Sequence, residues 1–228
     1  SKLSTYYHQA QVGEAGKVFA EVKIVDLGKL PIRRINFITP PNKRTLYLNE
    51  AKQLYTEYLL NNNNQRILNF VAHHLAQQPE QSDVVHDVLA LLAEEMLRLN
   101  REKRAEQKRF LDSLEQFVRL QPDKDGHNGI DTLQGKQKIM EYAGDYQKAN
   151  DQHTPPEELL SSLRKNKQRF GIASLDMVAG QIVAAYEQSL HVVLPLKEQL
   201  KKTDALIDEI VYRLYGLTEA EIRVVKGE

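Results

Sequence analysis

The longest uninterrupted amphipathic pattern in the chain runs from Asp83 to Leu120. Ser82 and Asp83 are residue types that favour a helix N-cap, and no glycine or proline follows before Pro122. Apolar residues recur at alternating spacings that place them along one helix face. They are Val85, Leu89, Leu92, Met96, Leu99, Phe110, Leu114 and Phe117. The pattern predicts a helix over about 84–118, and burial of that face requires a partner of similar length.

A second pattern of the same kind extends from Ser174 to Tyr215 and predicts a long helix over about 175–215. Pro195 lies inside it and is expected to kink or break it. Its apolar face consists of Ile182 or Val183, Tyr186, Leu190, Val193, Leu200, Ile207, Ile210 and Leu214. The connection between the two helices is long enough for an antiparallel, coiled-coil-like pair.

Shorter helical patterns surround this pair. They cover 46–60, 65–77, 130–142 and 154–168. Thr154 is expected to cap the last of these, because a proline and two glutamates follow it. Thr218 and Glu221 have the spacing of a capping box for a terminal helix after Gly216.

The N-terminal segment differs in pattern. Apolar and charged residues alternate from Lys17 to Val25, which predicts a β-strand. That strand pairs either with residues near 3–8 or with a sheet that lies upstream. The sequence therefore predicts a mainly α protein with a small β-containing N-terminal piece. We place the domain boundary between residues 1–45 and 46–228.

Overall charge favours no partner, because 31 basic and 31 acidic residues balance among 228. Residues 1–45 nevertheless hold eight lysines and arginines against three acidic residues, a net charge of +5. The absence of cysteine excludes disulfides and thiolate metal sites and favours a cytoplasmic location. No apolar run approaches membrane-spanning length, so we expect no membrane contact. The chain begins with Ser-Lys-Leu rather than Met, which suggests a piece of a longer protein.

No complete active site is recognisable, and we predict neither catalytic residues nor a metal centre. Glu21 and Lys23 have the Glu-x-Lys form of Mg²⁺-dependent nucleases, but only Glu14 offers an upstream carboxylate, so a surface strand explains them better. His73 and His74 are adjacent and face different sides of a helix, so they cannot chelate one ion together. His86 and Asp87 approach them only if the fold brings them there.

Two groups of basic residues are candidates for contact with DNA phosphates. The first flanks the turn that follows the predicted strand and consists of Arg33, Arg34, Lys43 and Arg44. The second lies in a run without acidic residues and consists of Arg164, Lys165, Lys167 and Arg169. The alternative is that both groups form ordinary solvated surface.

Three stretches of the chain resemble the C-terminal region of adenine-specific (N6) DNA methyltransferases of restriction-modification systems, including the fused type IIG enzymes. The C-terminal stretch is Thr203-Asp204-x-Leu206-Ile207-Asp208-Glu209-Ile210-Val211-Tyr212-x-Leu214-Tyr215-Gly216-Leu217-Thr218-x-x-Glu221-Ile222. The stretch that resembles the end of the target-recognition region is Leu27-x-x-Leu30-Pro31-Ile32-Arg33-Arg34-Ile35-x-Phe37. The stretch similar to the start of the long helix is Ser82-Asp83-Val84-Val85-His86-Asp87-x-Leu89 with Met96.

The resemblance implies the tail of a target-recognition domain followed by a helical module, with double-stranded DNA and an upstream methyltransferase domain as partners. It implies no catalytic residue here, because Thr39-Pro40-Pro41-Asn42 does not match the Asn/Asp-Pro-Pro-Tyr/Phe motif and no glycine-rich S-adenosylmethionine loop is present. S-adenosylmethionine, and Mg²⁺ where a nuclease is fused, would be cofactors of the whole protein and not of this part. A helical scaffold that recruits another subunit is the alternative function.

Overall fold

The computed structural model describes residues 1–12, 31–148 and 150–228, and this part of the chain is mainly α-helical. The helices are α1 (Lys2–Val12), α2 (Pro41–Asn61), α3 (Gln65–Leu75), α4 (Ser82–Val118), α5 (Lys136–Met140), α6 (Pro156–Arg164), α7 (Ala179–Leu214) and α8 (Glu219–Lys226). Short 3₁₀ turns lie at Ile130–Thr132, Lys167–Arg169 and Leu175–Met177. The described residues contain no β-strand, only an isolated antiparallel bridge between Leu120 and Phe170.

The chain divides into two compact units. Unit 1 comprises Ser1–Met96 and Lys202–Glu228, and unit 2 comprises Leu97–Lys201. Both boundaries therefore fall inside the two long helices, α4 and α7.

Unit 1 has a core to which four helices contribute. Amphipathic spacing turns one face of each helix inward, so aliphatic side chains from α4 and α7 meet aromatic ones from α2. The buried core residues are Ala51, Leu54, Tyr55, Tyr58, Ile67, Leu68, Phe70, Val71, Val84, Val85, Val88, Leu92, Leu206, Ile210 and Leu214. A smaller cluster joins α1 to α7 through Leu3, Val211 and Tyr212.

Asp83 ties the segment before α2 to the start of α4. Its carboxylate is fully buried and accepts hydrogen bonds from the Thr39 backbone N–H (2.7 Å) and the Thr39 hydroxyl (2.9 Å). A third bond comes from the Val84 N–H at 3.0 Å. Burial alone raises the pKa of the Asp83 carboxyl, but these hydrogen bonds outweigh burial and hold the pKa below its usual value.

Unit 2 has a separate core, built from the later part of α4, the early part of α7 and the short helices α5 and α6. Its buried residues include Phe110, Leu114, Val118, Ile139, Tyr142, Leu159, Leu163, Ile182, Tyr186, Leu190 and Val193. The rings of Phe110 and Tyr142 lie 4.6 Å apart between centroids. The Tyr142 hydroxyl is satisfied within the core by Ser189 at 2.5 Å.

Lys197 is a buried cation with a complete set of acceptors in unit 2. Its Nζ donates to the Ala143 carbonyl oxygen (2.7 Å) and to the Asp151 carboxylate (2.8 Å), with the Asp151 carbonyl oxygen at 3.3 Å. The side chain is only 10% exposed, so these acceptors replace water around the ammonium.

The prediction of a mainly α fold with two long helices is confirmed, and the two apolar faces are largely buried within the units. In unit 1 the start of α4 and the end of α7 contribute to one core, and in unit 2 the later part of α4 and the start of α7 contribute to another. Ile182, rather than Val183, is the buried member of the pair that the sequence left open. Antiparallel pairing along the full length of both helices stays a prediction.

Expectations about the second long helix and about α6 need correction. The second long helix begins at Ala179, after a 3₁₀ turn, and continues through Pro195 without a break. Thr154 does not cap α6, because Pro155 occupies the N-cap position and the Thr154 hydroxyl donates to the Lys138 carbonyl oxygen. Helix α6 ends at Arg164, because the Asn166 side chain donates to the Ser162 carbonyl oxygen, which the backbone N–H of a continuing helix would use.

The β-containing N-terminal piece is not supported. The predicted strand at Lys17–Val25 lies outside the described residues, and its suggested partner near residues 3–8 belongs to helix α1. Tertiary contacts explain the helix, since Leu3 is buried against α7 and the Lys2 N–H donates to Asp208 Oδ1 at 2.8 Å. The domain boundary at residue 45 stays a prediction.

Candidate nucleic-acid interface

The eight basic residues predicted to contact DNA phosphates fall into two groups of four, one in each unit. Arg33, Arg34, Lys43 and Arg44 belong to unit 1, and Arg164, Lys165, Lys167 and Arg169 belong to unit 2. Within each group the structure separates cations bound to other protein groups from cations directed to solvent.

Arg33 is held by contacts within unit 1. It lies in the segment 31–40, which has no regular secondary structure and precedes α2. Its backbone N–H donates to the Tyr215 hydroxyl (3.1 Å), and its guanidinium donates to Glu80 Oε1 at 2.5 Å. The ion pair offsets the charge of Arg33, which weakens its claim to a phosphate contact.

Arg44 is also engaged. Its Nε and Nη2 donate to the two carboxylate oxygens of Asp87 at 2.7 and 2.5 Å, a bidentate pair. The hydrogen bond to Asp87 raises the pKa of the Arg44 guanidinium above its usual value. The guanidinium carbon lies 4.7 Å from the centroid of the Phe37 ring. Arg44 therefore contacts both Phe37 and Asp87 of α4, and its guanidinium is not free in solvent.

Arg34 and Lys43 remain as the unpartnered cations of this group. Both side chains are exposed, and neither side chain has an ion pair or hydrogen bond to another described residue. Lys43 lies in the first turn of α2, next to Arg44. An exposed cation without a protein acceptor keeps its full charge available to a phosphate.

In unit 2, the Arg169 guanidinium bonds to other groups of the chain. Its guanidinium donates to the carbonyl oxygens of Gln121 (2.8 Å) and His127 (3.3 Å) and to the Thr132 hydroxyl (3.1 Å). It thereby holds the loop after α4 against the 3₁₀ turn at 167–169. Arg164 pairs with Asp176 at 3.1 Å on an exposed surface, where such pairs contribute little stability.

Lys165 and Lys167 follow α6 directly and are the unpartnered cations of the second group. Both side chains are exposed, and no described residue accepts a hydrogen bond from either ammonium group. Asn166 between them is buried and bonds to Gln134 through both its amide nitrogen and its carbonyl oxygen. The backbone that carries the two lysines is therefore fixed by a buried residue.

The residues considered for metal chemistry have other partners. His74 is buried, and its Nδ1 lies 2.6 Å from Gln81 Oε1. His86 packs edge-on against Phe37 at 5.2 Å between centroids, and Asp87 binds Arg44. Glu14, Glu21 and Lys23 lie outside the described residues.

One group of possible metal ligands was not predicted from the sequence. Asp123, Asp125 and His127 place one ligand atom each within 4.8 Å of one another in an exposed loop. Their spacing at alternate positions is the sequence feature that could have indicated the group. In the structure, Asp123 accepts hydrogen bonds from the His127 and Asp125 N–H groups. The His127 bond is the main cause of the lowered pKa of Asp123. Oxygen and imidazole donors suit a divalent cation, although exposed acidic groups of this kind are common without one.

The three stretches that carry the family resemblance meet in unit 1 wherever they are described. Ile35 packs against the core that contains Val85 and Leu214, so residues from all three stretches share one hydrophobic cluster. Other signature residues have structural roles. Asp208 accepts a hydrogen bond from the Lys2 N–H at the start of α1, and Thr218 forms the predicted capping box with Glu221.

Comparison of the chain with protein-family models, with curated protein sequences and with solved structures gave no match. Among the described residues, no helix combines the length and apolar character that crossing a bilayer requires.

Proposed function

We propose that this chain binds double-stranded DNA through phosphate contacts and acts as a non-catalytic part of a cytoplasmic restriction-modification adenine-N6 DNA methyltransferase. In this proposal the chain supplies the end of the target-recognition region and a helical module, and an upstream domain supplies S-adenosylmethionine chemistry. The resemblance of the three stretches supports the parent family, and their shared hydrophobic cluster supports treating them as one structural unit.

The observation that carries the DNA-binding proposal is a set of four exposed cations without partners among the described residues. They are Arg34, Lys43, Lys165 and Lys167. The other four candidates are occupied by an acceptor of the protein itself, which reduces their gain from a phosphate. Phosphate contacts of this kind give affinity that falls with salt but does not read sequence.

Fluorescence anisotropy with a labelled duplex, repeated over a range of salt concentrations, tests each surface separately. Each cation that binds a phosphate contributes about 0.9 to the steepness of log affinity against log salt. We expect the Arg34→Ala/Lys43→Ala and the Lys165→Ala/Lys167→Ala variants each to lower the slope by up to roughly two.

A matched control removes the same number of positive charges from residues that already have acidic partners. Arg66 pairs with Glu57, and Lys108 pairs with Asp112 at 2.7 Å. The Arg66→Ala/Lys108→Ala variant should keep the wild-type slope. Equal slopes for all variants would contradict the proposal and favour the alternative of a helical scaffold that recruits another subunit.

A further inference from the structure

Two consecutive residues of unit 1 carry large, exposed apolar side chains. Phe37 is 56% exposed and Ile38 is 46% exposed, although side chains of these types are usually buried. They lie in the segment 31–40, between the unpartnered cations Arg34 and Lys43 in sequence. Adjacent exposed apolar residues with a polar border are typical of a binding surface.

The backbone around this apolar pair is anchored at both sides. Upstream, the Arg33 N–H donates to the Tyr215 hydroxyl. Downstream, Thr39 is buried and bonds to Asp83 through both its N–H and its hydroxyl. Phe37 and Ile38 are therefore presented on a fixed segment, which lowers the ordering cost of any contact that they make.

Phe37 is also braced from the side. The Arg44 guanidinium lies 4.7 Å from the ring centroid, and the His86 ring lies edge-on at 5.2 Å. Lys43 precedes Arg44 in the first turn of α2, six residues after Phe37, so the segment continues directly into an exposed cation.

The charged residues near Phe37 and Ile38 indicate the class of partner. The described acidic residues that bond to this segment or to Arg44 are already occupied, since Glu80 binds Arg33, Asp87 binds Arg44 and Asp83 is buried against Thr39. Arg34 and Lys43 thus have no acidic partner among the described residues, and they lie on either side of Phe37 and Ile38 in sequence. Such a combination complements nucleic acid, where phosphates flank apolar base and sugar surfaces.

We infer that Phe37 and Ile38 insert against a base step of duplex DNA while Arg34 and Lys43 contact the flanking phosphates. This inference rests on the proposed function. It adds an apolar contact, whose contribution to affinity does not depend on salt concentration. Apolar wedges of this kind partly unstack the bases that they enter, so insertion has a spectroscopic signature of its own.

The test uses the full chain and a duplex that carries the fluorescent adenine analogue 2-aminopurine. Binding of the wild-type chain should raise the fluorescence of the analogue, because unstacking relieves quenching. The Phe37→Ala/Ile38→Ala variant should bind about tenfold more weakly with an unchanged salt slope, and the fluorescence rise should disappear.

Two further variants separate insertion from indirect effects. Ile38→Ala alone leaves the bracing of Phe37 by Arg44 and His86 in place and should still weaken binding. Leu60→Ala removes an apolar side chain that is 79% exposed at the end of α2, and it should bind DNA as the wild type does. Circular dichroism should show wild-type helix content for all variants.

The possible failures are distinguishable. If the wild-type chain shows no salt-dependent DNA binding, the proposed function and this inference both fail. If the Arg34→Ala/Lys43→Ala variant lowers the salt slope but Phe37→Ala/Ile38→Ala behaves like Leu60→Ala, only the insertion is wrong. A reduced salt slope for the apolar variant, or an effect on self-association instead of DNA binding, would also overturn the insertion.

Discussion

Replacing Asp83 by alanine should destabilise unit 1 more than removal of any exposed carboxylate. The substitution leaves the Thr39 N–H and hydroxyl buried without their acceptor, and the Val84 N–H loses its side-chain partner. An unsatisfied buried donor costs about 1–3 kcal/mol, and relief of the buried charge offsets part of the loss. We therefore expect a decrease of about 2–4 kcal/mol in the free energy of unfolding.

Urea denaturation followed by far-ultraviolet circular dichroism measures this decrease, and the chain has no tryptophan to serve as a fluorescent probe. Asp83→Asn keeps one acceptor oxygen and should lose less stability than Asp83→Ala. Asp112→Ala is the control, because its carboxylate is exposed and pairs with the exposed Lys108. If Asp83→Ala is destabilised no more than this control, the buried hydrogen bonds of Thr39 do not stabilise unit 1 as expected.

The pH dependence of this contribution follows from the direction of the pKa shift. The pKa of Asp83 is lower in the folded state, so the unfolded state binds the proton more readily. The stabilisation is fully present above the ordinary pKa of about 4 and is lost as pH falls below it. In Asp83→Ala this part of the acid sensitivity should be absent.

Three other substitutions test the remaining structure. Burial lowers the pKa of His74, so stability should fall as pH drops below about 6.5, and urea midpoints of His74→Gln should lack that dependence. Leu114→Ala should cost about 2–5 kcal/mol in the free energy of unfolding, because it opens a cavity in the core of unit 2, and thermal denaturation should show it. Lys197→Ala should destabilise unit 2 by leaving Asp151 without its cation, whereas the exposed Lys165→Ala should stay within about 0.5 kcal/mol of wild type.

The long helices were predictable because their periodicity extends over many turns and is independent of tertiary detail. The capping box at Thr218 was equally local, since both of its hydrogen bonds join residues three apart. The helical state of residues 2–12 was not predictable in this way. It depends on Asp208 and on burial of Leu3, and both contacts join parts of the chain that are far apart in sequence.

The candidate interface was predictable only in outline. Charge runs located eight basic residues, but Glu80, Asp87 and Asp176 decide which of them are neutralised, and these acids lie at least twelve residues away. The exposure of Phe37 and Ile38 could not be inferred either, because phenylalanine and isoleucine are residue types that favour burial. Local sequence therefore identified the cations, whereas the fold determined which of them have partners within the protein.

DNA binding through the four unpartnered cations is decided by comparing the wild-type chain with a variant in which all four are alanine. The substituted residues are Arg34, Lys43, Lys165 and Lys167. Affinities measured between about 50 and 200 mM salt should give the wild type a steep negative slope and the variant a slope shallower by up to roughly four. Identical slopes for the two proteins, or a wild-type affinity that does not change with salt, would contradict the proposed binding.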